Sequence, residues 1–573
     1  MTRVLLAHPA DLTRVPELAA SCDSVVLLSW ASSEYTGSLE RATGKPCLAL
    51  NALVESYEKV VRRSHRLYSR VVPDSPQYRG VSLYEPYIPM ATALLQPVVV
   101  ADLLDSLLGR HGEGTEVDFT PTVEHAATLD MLNVARGSPL TLKVLSHAPA
   151  RPHRLARALG GLRRLLEETA ADGDWAQAFW VPLEVVDGEY AVRQRAWPAA
   201  SGPAGGKWVY ASYVNCARAL GRHQSWAQDR PRWVVSNYSA RRGLPPGAQF
   251  HYLWQYKAGH QTMGDRRRAV REGLQFLCEA TELVDGFPLR AVLSGILPSV
   301  SRVLPQLLAE VDLMESFIQQ ARPREVWVAN QWGSEGYLVQ TARHLGVPVT
   351  QVQHGVLEQY YAYAPIYSDR FLVWGDFWRE AVNPEARHRI QVVNPGFEVV
   401  PVARTRGPGP ARVTFFTAPV QQLPFASPAV ACWEVTTILD RLAAAGHPIT
   451  VRVHPADRIE TWRKAWIDNT GAVPSGVRFE KGGPLEAVLQ ETDVALMFLS
   501  TVFLNCVASG ILVISLGWYP FIWREALERE GLIHFADSLE EVLALVRELG
   551  AKPVVRGNLN RVMAPVSSAA GSG

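Results

Sequence analysis

The stretch VALMFLSTVFLNCVASGILVISLGW, Val494 to Trp518, contains no Asp, Glu, Lys or Arg. Its length and apolarity satisfy the requirement for a membrane-spanning helix. Trp518, Tyr519 and Trp523 sit at one end, like an interfacial belt. The internal punctuation favours a different reading. DVALMFLS starts at Asp493 and reads as a strand. Ser500 or Thr501 is a candidate N-cap for a short helix, and Gly510 is placed to stop it. ILVISLG is then a second strand. Strands buried on both faces of a parallel sheet are continuous apolar runs. Two of them joined by a buried helix give an uncharged stretch of this length without a bilayer.

The neighbouring segments repeat the pattern. RVTFFTAP, ITVRVHP and VRFEK read as strands, and AVACWEVTTILDRLAAAG and PLEAVLQET as helices. LEEVLALVRELG closes this half as a helix. Upstream, ARTRGPGPAR reads as a hinge at 403–412. Before it another alternation runs from about 205, with strands RWVVSNYS, FHYLWQYK, EVWVAN, VPVTQVQHG and DRFLVWG. Strands alternating with helices predict βαβ units and parallel sheets. Residues 1–60 read as strand, loop, strand, helix. Residues 61–150 read as mainly helical, with an interruption at Pro97. RPHRLARALGGLRRLLEETA at 151–170 is a basic amphipathic segment that suits a solvated face or a membrane surface.

The expected division is therefore an α/β and helical extension at 1–200, a Rossmann-like acceptor domain at 201–402 and a hinge at 403–412. A Rossmann-like donor domain at 413–560 and a disordered tail at 561–573 follow. Two such domains are expected to face each other across a cleft at the carboxyl ends of their strands, where ligands of doubly wound sheets bind.

With 573 residues the chain can bury a large core. Its 57 Lys and Arg balance 56 Asp and Glu, so no net field favours nucleic acid. Six scattered cysteines without a CxxC pair argue against a metal cage or a disulfide framework. The apolar run in MTRVLLAHPADL is too short for a signal peptide. The expected location is cytoplasmic, with peripheral association at the inner face of a membrane as an extension of that reading.

Candidate site residues cluster at strand ends. In VRVHPADR, Arg452 and His454 alternate along the strand and Pro455 ends the ladder. Read singly, this is equally a turn proline beside a structural histidine. Ser500 and Thr501 open a helix, where free N–H groups, hydroxyls and the dipole suit an anion. In EVWVANQWGSEGYLVQTARHLGVPVTQVQHG, Asn330 ends a strand, Glu335 lies in the first helical turn, and Gln353-His354-Gly355 end the next strand. Tyr360, Tyr361 and Tyr363 follow in EQYYAYAPIY, aromatic groups suited to an acceptor or to packing.

The order R-x-H-P, then a Ser/Thr pair opening a helix, resembles bacterial surface-polysaccharide glycosyltransferases that use CMP-sugars, the Kdo- and sialic-acid-transferring enzymes among them. The resemblance implies the GT-B fold. It implies donor binding by Arg452, His454, Pro455, Ser500 and Thr501, with the HP motif on the CMP moiety and the hydroxyl pair on its phosphate. Ser334-Glu335-Gly336 resembles a degenerate form of the acidic motif whose second acid is the general base in bacterial sialyltransferases; Ser334 departs from it. Glu335 is thus the expected base, with His354 orienting a substrate, and Asn330 and the three tyrosines on the acceptor side. Transfer to a hydroxyl needs one base and a neutralised leaving phosphate. No DxD-type acidic pair stands at a strand end, so no metal and no cofactor is expected.

The expected activity is transfer of a CMP-activated acidic sugar, a nonulosonic acid or Kdo, to a glycan or protein hydroxyl. The QHG and HP motifs also resemble those of CDP-glycerol glycerophosphotransferases, whose polyanionic acceptor would favour a more basic chain. A UDP-sugar 2-epimerase shares the fold, and a non-catalytic nucleotide-sugar-binding subunit of an export complex is the reading outside the enzyme class.

Overall fold

The computed structural model describes residues 2–7, 13–54, 57–86, 88–119, 140–144, 180–201, 204–222, 230–256, 263–279, 289–355, 366–381, 384–393, 402, 409–418, 426–455, 457–498, 500–519, 521–549 and 558–564. The basic segment at 151–170, Tyr360, Tyr361 and Tyr363, most of the expected hinge and most of the expected tail lie outside them.

In chain order the strands are β1 (Arg3–Ala7), β2 (Ser24–Leu27), β3 (Cys47–Ala49), β4 (Gln77–Tyr78), β5 (Val81–Ser82), β6 (Glu116–Phe119) and β7 (Thr141–Val144). Then come β8 (Lys207–Ala211), β9 (Arg232–Val235), β10 (Phe250–Tyr252), β11 (Glu325–Val328), β12 (Val349–Val352), β13 (Arg370–Val373) and β14 (Ile390–Val392). The last are β15 (Val413–Phe416), β16 (Ile449–Arg452), β17 (Val477–Glu480), β18 (Val494–Met497), β19 (Leu512–Leu516) and β20 (His534–Ala536). They make sheets ordered β3-β2-β1-β6-β7, β10-β9-β8-β11-β12-β13-β14 and β17-β16-β15-β18-β19-β20, besides the antiparallel hairpin β4-β5. In each large sheet the first strand is internal, the next two extend to one side and the later ones to the other. That is the doubly wound, Rossmann-like order, and it puts a switch point between β1 and β6, β8 and β11, and β15 and β18. The two Rossmann-like sheets expected from the sequence are present, and the N-terminal α/β extension carries a third.

The chain divides into two compact units. One comprises Met1–Val60, Val98–Ser146 and Glu398–Arg561, with the first and third sheets; the other comprises Val61–Pro97, His147–Phe397 and Val562–Gly573, with the seven-stranded sheet. The segment 1–200 is thus shared between both units. The helix Ile88–His111 continues through Pro97.

The opening stretch is strand, helix and strand. All of β18 and β19 is buried, and they pair in parallel from Val494 opposite Leu512 to Met497 opposite Ser515. Between them the helix Val502–Ala508 buries Phe503, Leu504, Cys506, Val507 and Ala508. Gly510, at φ +66°, takes the left-handed turn that ends it, and Ile511 N–H closes the turn on the Cys506 carbonyl at 2.8 Å. No described helix is long and apolar enough to cross a membrane. The aromatic pair that resembles an interfacial belt has an internal partner: Trp518 Nε1 and Tyr519 Oη donate to Glu434 at 2.9 and 2.7 Å.

Glu434 also joins the first and third sheets within their unit. It lies on the helix Pro428–Ala444, fully buried, and accepts the Ser32 backbone N–H at 2.5 Å. Val430 of the same helix enters the core formed by Leu5, Val25, Leu27 and Tyr35, and Trp433 meets Tyr35 edge-on at 4.9 Å.

Candidate functional site

In the seven-stranded sheet the switch point lies between β8 and β11, and the segments leaving these strands converge there. β8 gives way to Ser212 and Tyr213. β11 gives way to Ala329, Asn330 and Gln331 and then the helix Gly333–His344. Glu335, in the first turn of that helix, is fully buried. It accepts the Ser212 N–H at 3.0 Å, the Ser212 hydroxyl at 2.9 Å and the Cys216 thiol at 3.5 Å. Burial pushes its carboxyl up from 4.5 to about 7, against the hydrogen bonds from Ser212, Cys216 and the Asn330 backbone. Gly336 is required here by packing. A Cβ on it would stand 2.3 Å from the Gln331 carbonyl oxygen and 2.6 Å from Pro86 Cβ.

Ser334, the departure from an acidic motif, faces a different network. Its hydroxyl donates to Glu310 at 2.7 Å and is also hydrogen-bonded to the Tyr210 phenol. Gln306 Nε2 donates to the same carboxylate at 3.0 Å. An acid at 334 would set two carboxylates against each other in the interior, so Glu310 makes serine the compatible residue.

His354 follows β12 and is half-buried. Its Nδ1 lies 2.7 Å from the Ala329 carbonyl oxygen, which can only accept, so Nδ1 carries the proton. Nε2 then presents its lone pair to the Tyr213 hydroxyl at 2.9 Å. Burial lowers the ring's pKa, the Ala329 carbonyl opposing it, so the imidazole is neutral at physiological pH. Gln353 fixes the turn that presents this ring. It is buried, its Nε2 donates to the Gly355 carbonyl at 2.9 Å, and its Oε1 accepts the Trp374 N–H at 2.9 Å. Asn330 turns its side chain onto its own loop, Oδ1 accepting the Gln331 N–H at 2.8 Å. Glu335 and His354 are therefore linked through the consecutive residues Ser212 and Tyr213.

In the third sheet the expected donor residues occupy the ends of β16 and β18, which flank β15. With strands about 4.8 Å apart, the two ends stand roughly 10 Å from each other. His454 is positioned by Thr417, at the end of β15. The Thr417 hydroxyl accepts the His454 N–H at 2.8 Å and donates to Asp457 at 2.9 Å. Burial lowers the His454 pKa, Asp457 raises it and Lys481 lowers it. Pro455 is exposed at the turn. Arg452 reaches the Gly482 carbonyl, and its Nη2 donates to the Gly483 carbonyl at 2.9 Å. Its guanidinium therefore shapes the loop after β17. Thr501 stands at the N-cap without a capping side-chain bond, and Ser500 Oγ accepts the Val502 N–H at a long 3.4 Å. The helix start after β15, at Ser427, is covered within the unit: its N–H donates to Ser29 Oγ at 3.3 Å.

Ser212, Tyr213, Cys216, Thr417 and Asp457 were not among the residues expected from sequence. A signal for the first three exists in KWVYASYVNC, a short apolar run ending in two hydroxyl residues. Among the described residues no group of three His, Cys, Asp or Glu could hold a metal ion.

No protein-family model and no curated protein matches the chain. Solved structures do resemble it. S. aureus MnaA with UDP aligns with 63% of this chain and 91% of its own, at 10% identity and a TM-score of 0.41. MurG of Acinetobacter baumannii aligns with 63% and 95%, at 11% identity and a TM-score of 0.39. A Thermobaculum terrenum O-GlcNAc transferase aligns with 91% of this chain and 94% of its own, at 13% identity and a TM-score of 0.34.

Proposed function

We propose that this protein is a metal-independent glycosyltransferase that moves a CMP-activated acidic sugar to a hydroxyl of a glycan or protein. The observation that carries the reading is His354. It is a half-buried imidazole at a strand end beside a switch point, with its tautomer fixed by Ala329 and its Nε2 lone pair turned to a hydroxyl. A neutral imidazole whose basic nitrogen accepts from a hydroxyl is the group that proton removal from an attacking hydroxyl requires. Glu335, at zero exposure, holds the Ser212 backbone, which supports a positioning role. The base role is accordingly assigned to His354, and Glu335 is a positioning residue.

On the donor side, the proposal gives His454 and Pro455 the nucleotide, with Arg452 shaping the adjacent glycine loop. Ser500, Thr501 and the N–H groups behind them take the phosphate; hydroxyl and N–H donors neutralise a departing phosphate without a metal. Asn330 and the tyrosines Tyr360, Tyr361 and Tyr363 are proposed for the acceptor side. The test is release of CMP from a CMP-linked nonulosonic acid in the presence of EDTA. Wild-type protein is expected to release CMP and H354N to do so about 100-fold more slowly. Equal rates would remove His354 from the chemistry, and release only with a divalent metal would contradict metal independence.

A further inference from the structure

We propose that the Tyr213 phenol is the group that meets the attacking hydroxyl and relays its proton to His354. The inference rests on the reading of His354 as base, and it names the residue that this reading leaves unused. Nε2 is already engaged by the Tyr213 hydroxyl at 2.9 Å, so an acceptor cannot reach that lone pair while the bond stands. Either the acceptor displaces Tyr213 or it delivers its proton through it. The surroundings hold Tyr213 in place. Ser212, immediately before it, is bound twice by the buried Glu335. Tyr213 itself is the N-cap residue of the helix Val214–Gly221, its carbonyl accepting the Ala217 N–H at 3.1 Å. These bonds fix the Tyr213 backbone, and its ring meets the His354 ring edge-on at 6.1 Å with the hydroxyl on Nε2.

The transfer balances. The acceptor O–H breaks as a new phenol O–H forms, and the original phenol O–H breaks as Nε2–H forms. The acceptor oxygen bonds to the anomeric carbon while the bond from that carbon to the nucleotide phosphate oxygen breaks, its electron pair leaving with the phosphate. His354 becomes an imidazolium whose Nδ1–H stays bonded to the Ala329 carbonyl, which favours the charged ring. It later loses the proton to solvent. Tyr213 ends with the proton count it began with, so it acts as a relay and not as a base.

The experiment measures CMP release from CMP-N-acetylneuraminic acid with water as acceptor, alongside CMP affinity by calorimetry. Y213F is expected to lose about 100-fold in kcat, as H354N does, with CMP affinity unchanged in both. In mixtures of light and heavy water the wild-type rate is expected to follow a curved dependence, because two protons move in one step. A Y213F enzyme at or above the wild-type rate, beside an inactive H354N enzyme, would overturn the relay and leave His354 as a direct base. Full activity in both variants would overturn the reading of His354 itself. If Y213F fails to fold by circular dichroism, the wild-type isotope dependence decides: a straight line refutes the relay and a curve supports it.

Discussion

A carboxyl buried with no ion pair among the described residues is informative for what it holds. Glu335 accepts two hydrogen bonds from Ser212, so E335A leaves a buried N–H and hydroxyl without a partner. Each such loss costs about 1–3 kcal/mol, and the variant should be destabilised by about 3 kcal/mol in a urea titration. E335Q keeps one acceptor oxygen and should lose less than half of that. A larger effect of E335Q on CMP release than that of H354N would return the base role to the acid. The residue types at this site were legible in the sequence, because QHG and SEG mark strand and helix ends. Their surroundings were not. Glu335 is fully buried and His354 half-buried, although the two look equally available in one dimension. Ser334 was similarly opaque, since the residue that explains it, Glu310, lies 24 positions away.

At the scale of elements, the apolar stretch 494–518 was readable because its caps and stops agree with its burial. Gly510 has φ +66° with open space around its Cα, so G510A should cost about 1 kcal/mol through backbone strain alone. L496D places an unpaired charge at a position 1% exposed in a sheet covered on both faces, and should abolish cooperative unfolding. A folded, soluble L496D protein would contradict the strand assignment. One element that was missed lacks a period. KWVYA, the strand β8 inside the seven-stranded sheet, is a continuous apolar run after its Lys, which alternation alone does not mark as a strand. Missing it hid Ser212 and Tyr213, the residues that connect Glu335 to His354. Likewise EVDF and TLKV, β6 and β7, were taken into a helical region, although they complete the first sheet.

For the molecule as a whole, the N-terminal sheet and the third sheet share one compact unit, and Glu434 is a buried polar group between them. Burial raises its carboxyl from 4.5 to about 7, against donors from Ser32, Trp518 and Tyr519. The phenols beside it, Tyr35 and Tyr519, are raised as well and stay neutral throughout this range. A carboxyl whose folded pKa lies above its unfolded value binds its proton more tightly in the folded state. Its contribution to stability is therefore full below about pH 4.5 and is lost as pH rises towards 7. E434Q should remove this loss, seen as a flatter dependence of the urea midpoint on pH between 5 and 8. An unchanged slope would mean that the carboxyl is ionised in the folded protein across that range.

The central claim, that the strand ends of the third sheet hold a cytidine nucleotide without metal, is tested most directly by titrating CMP into the full-length protein with EDTA present. Binding is expected, tighter than that of UDP or GDP, and it should weaken tenfold or more in H454A and in the S500A/T501A double variant, the scale of a lost charge-assisted hydrogen bond of about 1.5–3 kcal/mol. CMP binding with unchanged affinity in both variants, while circular dichroism stays native, would contradict it.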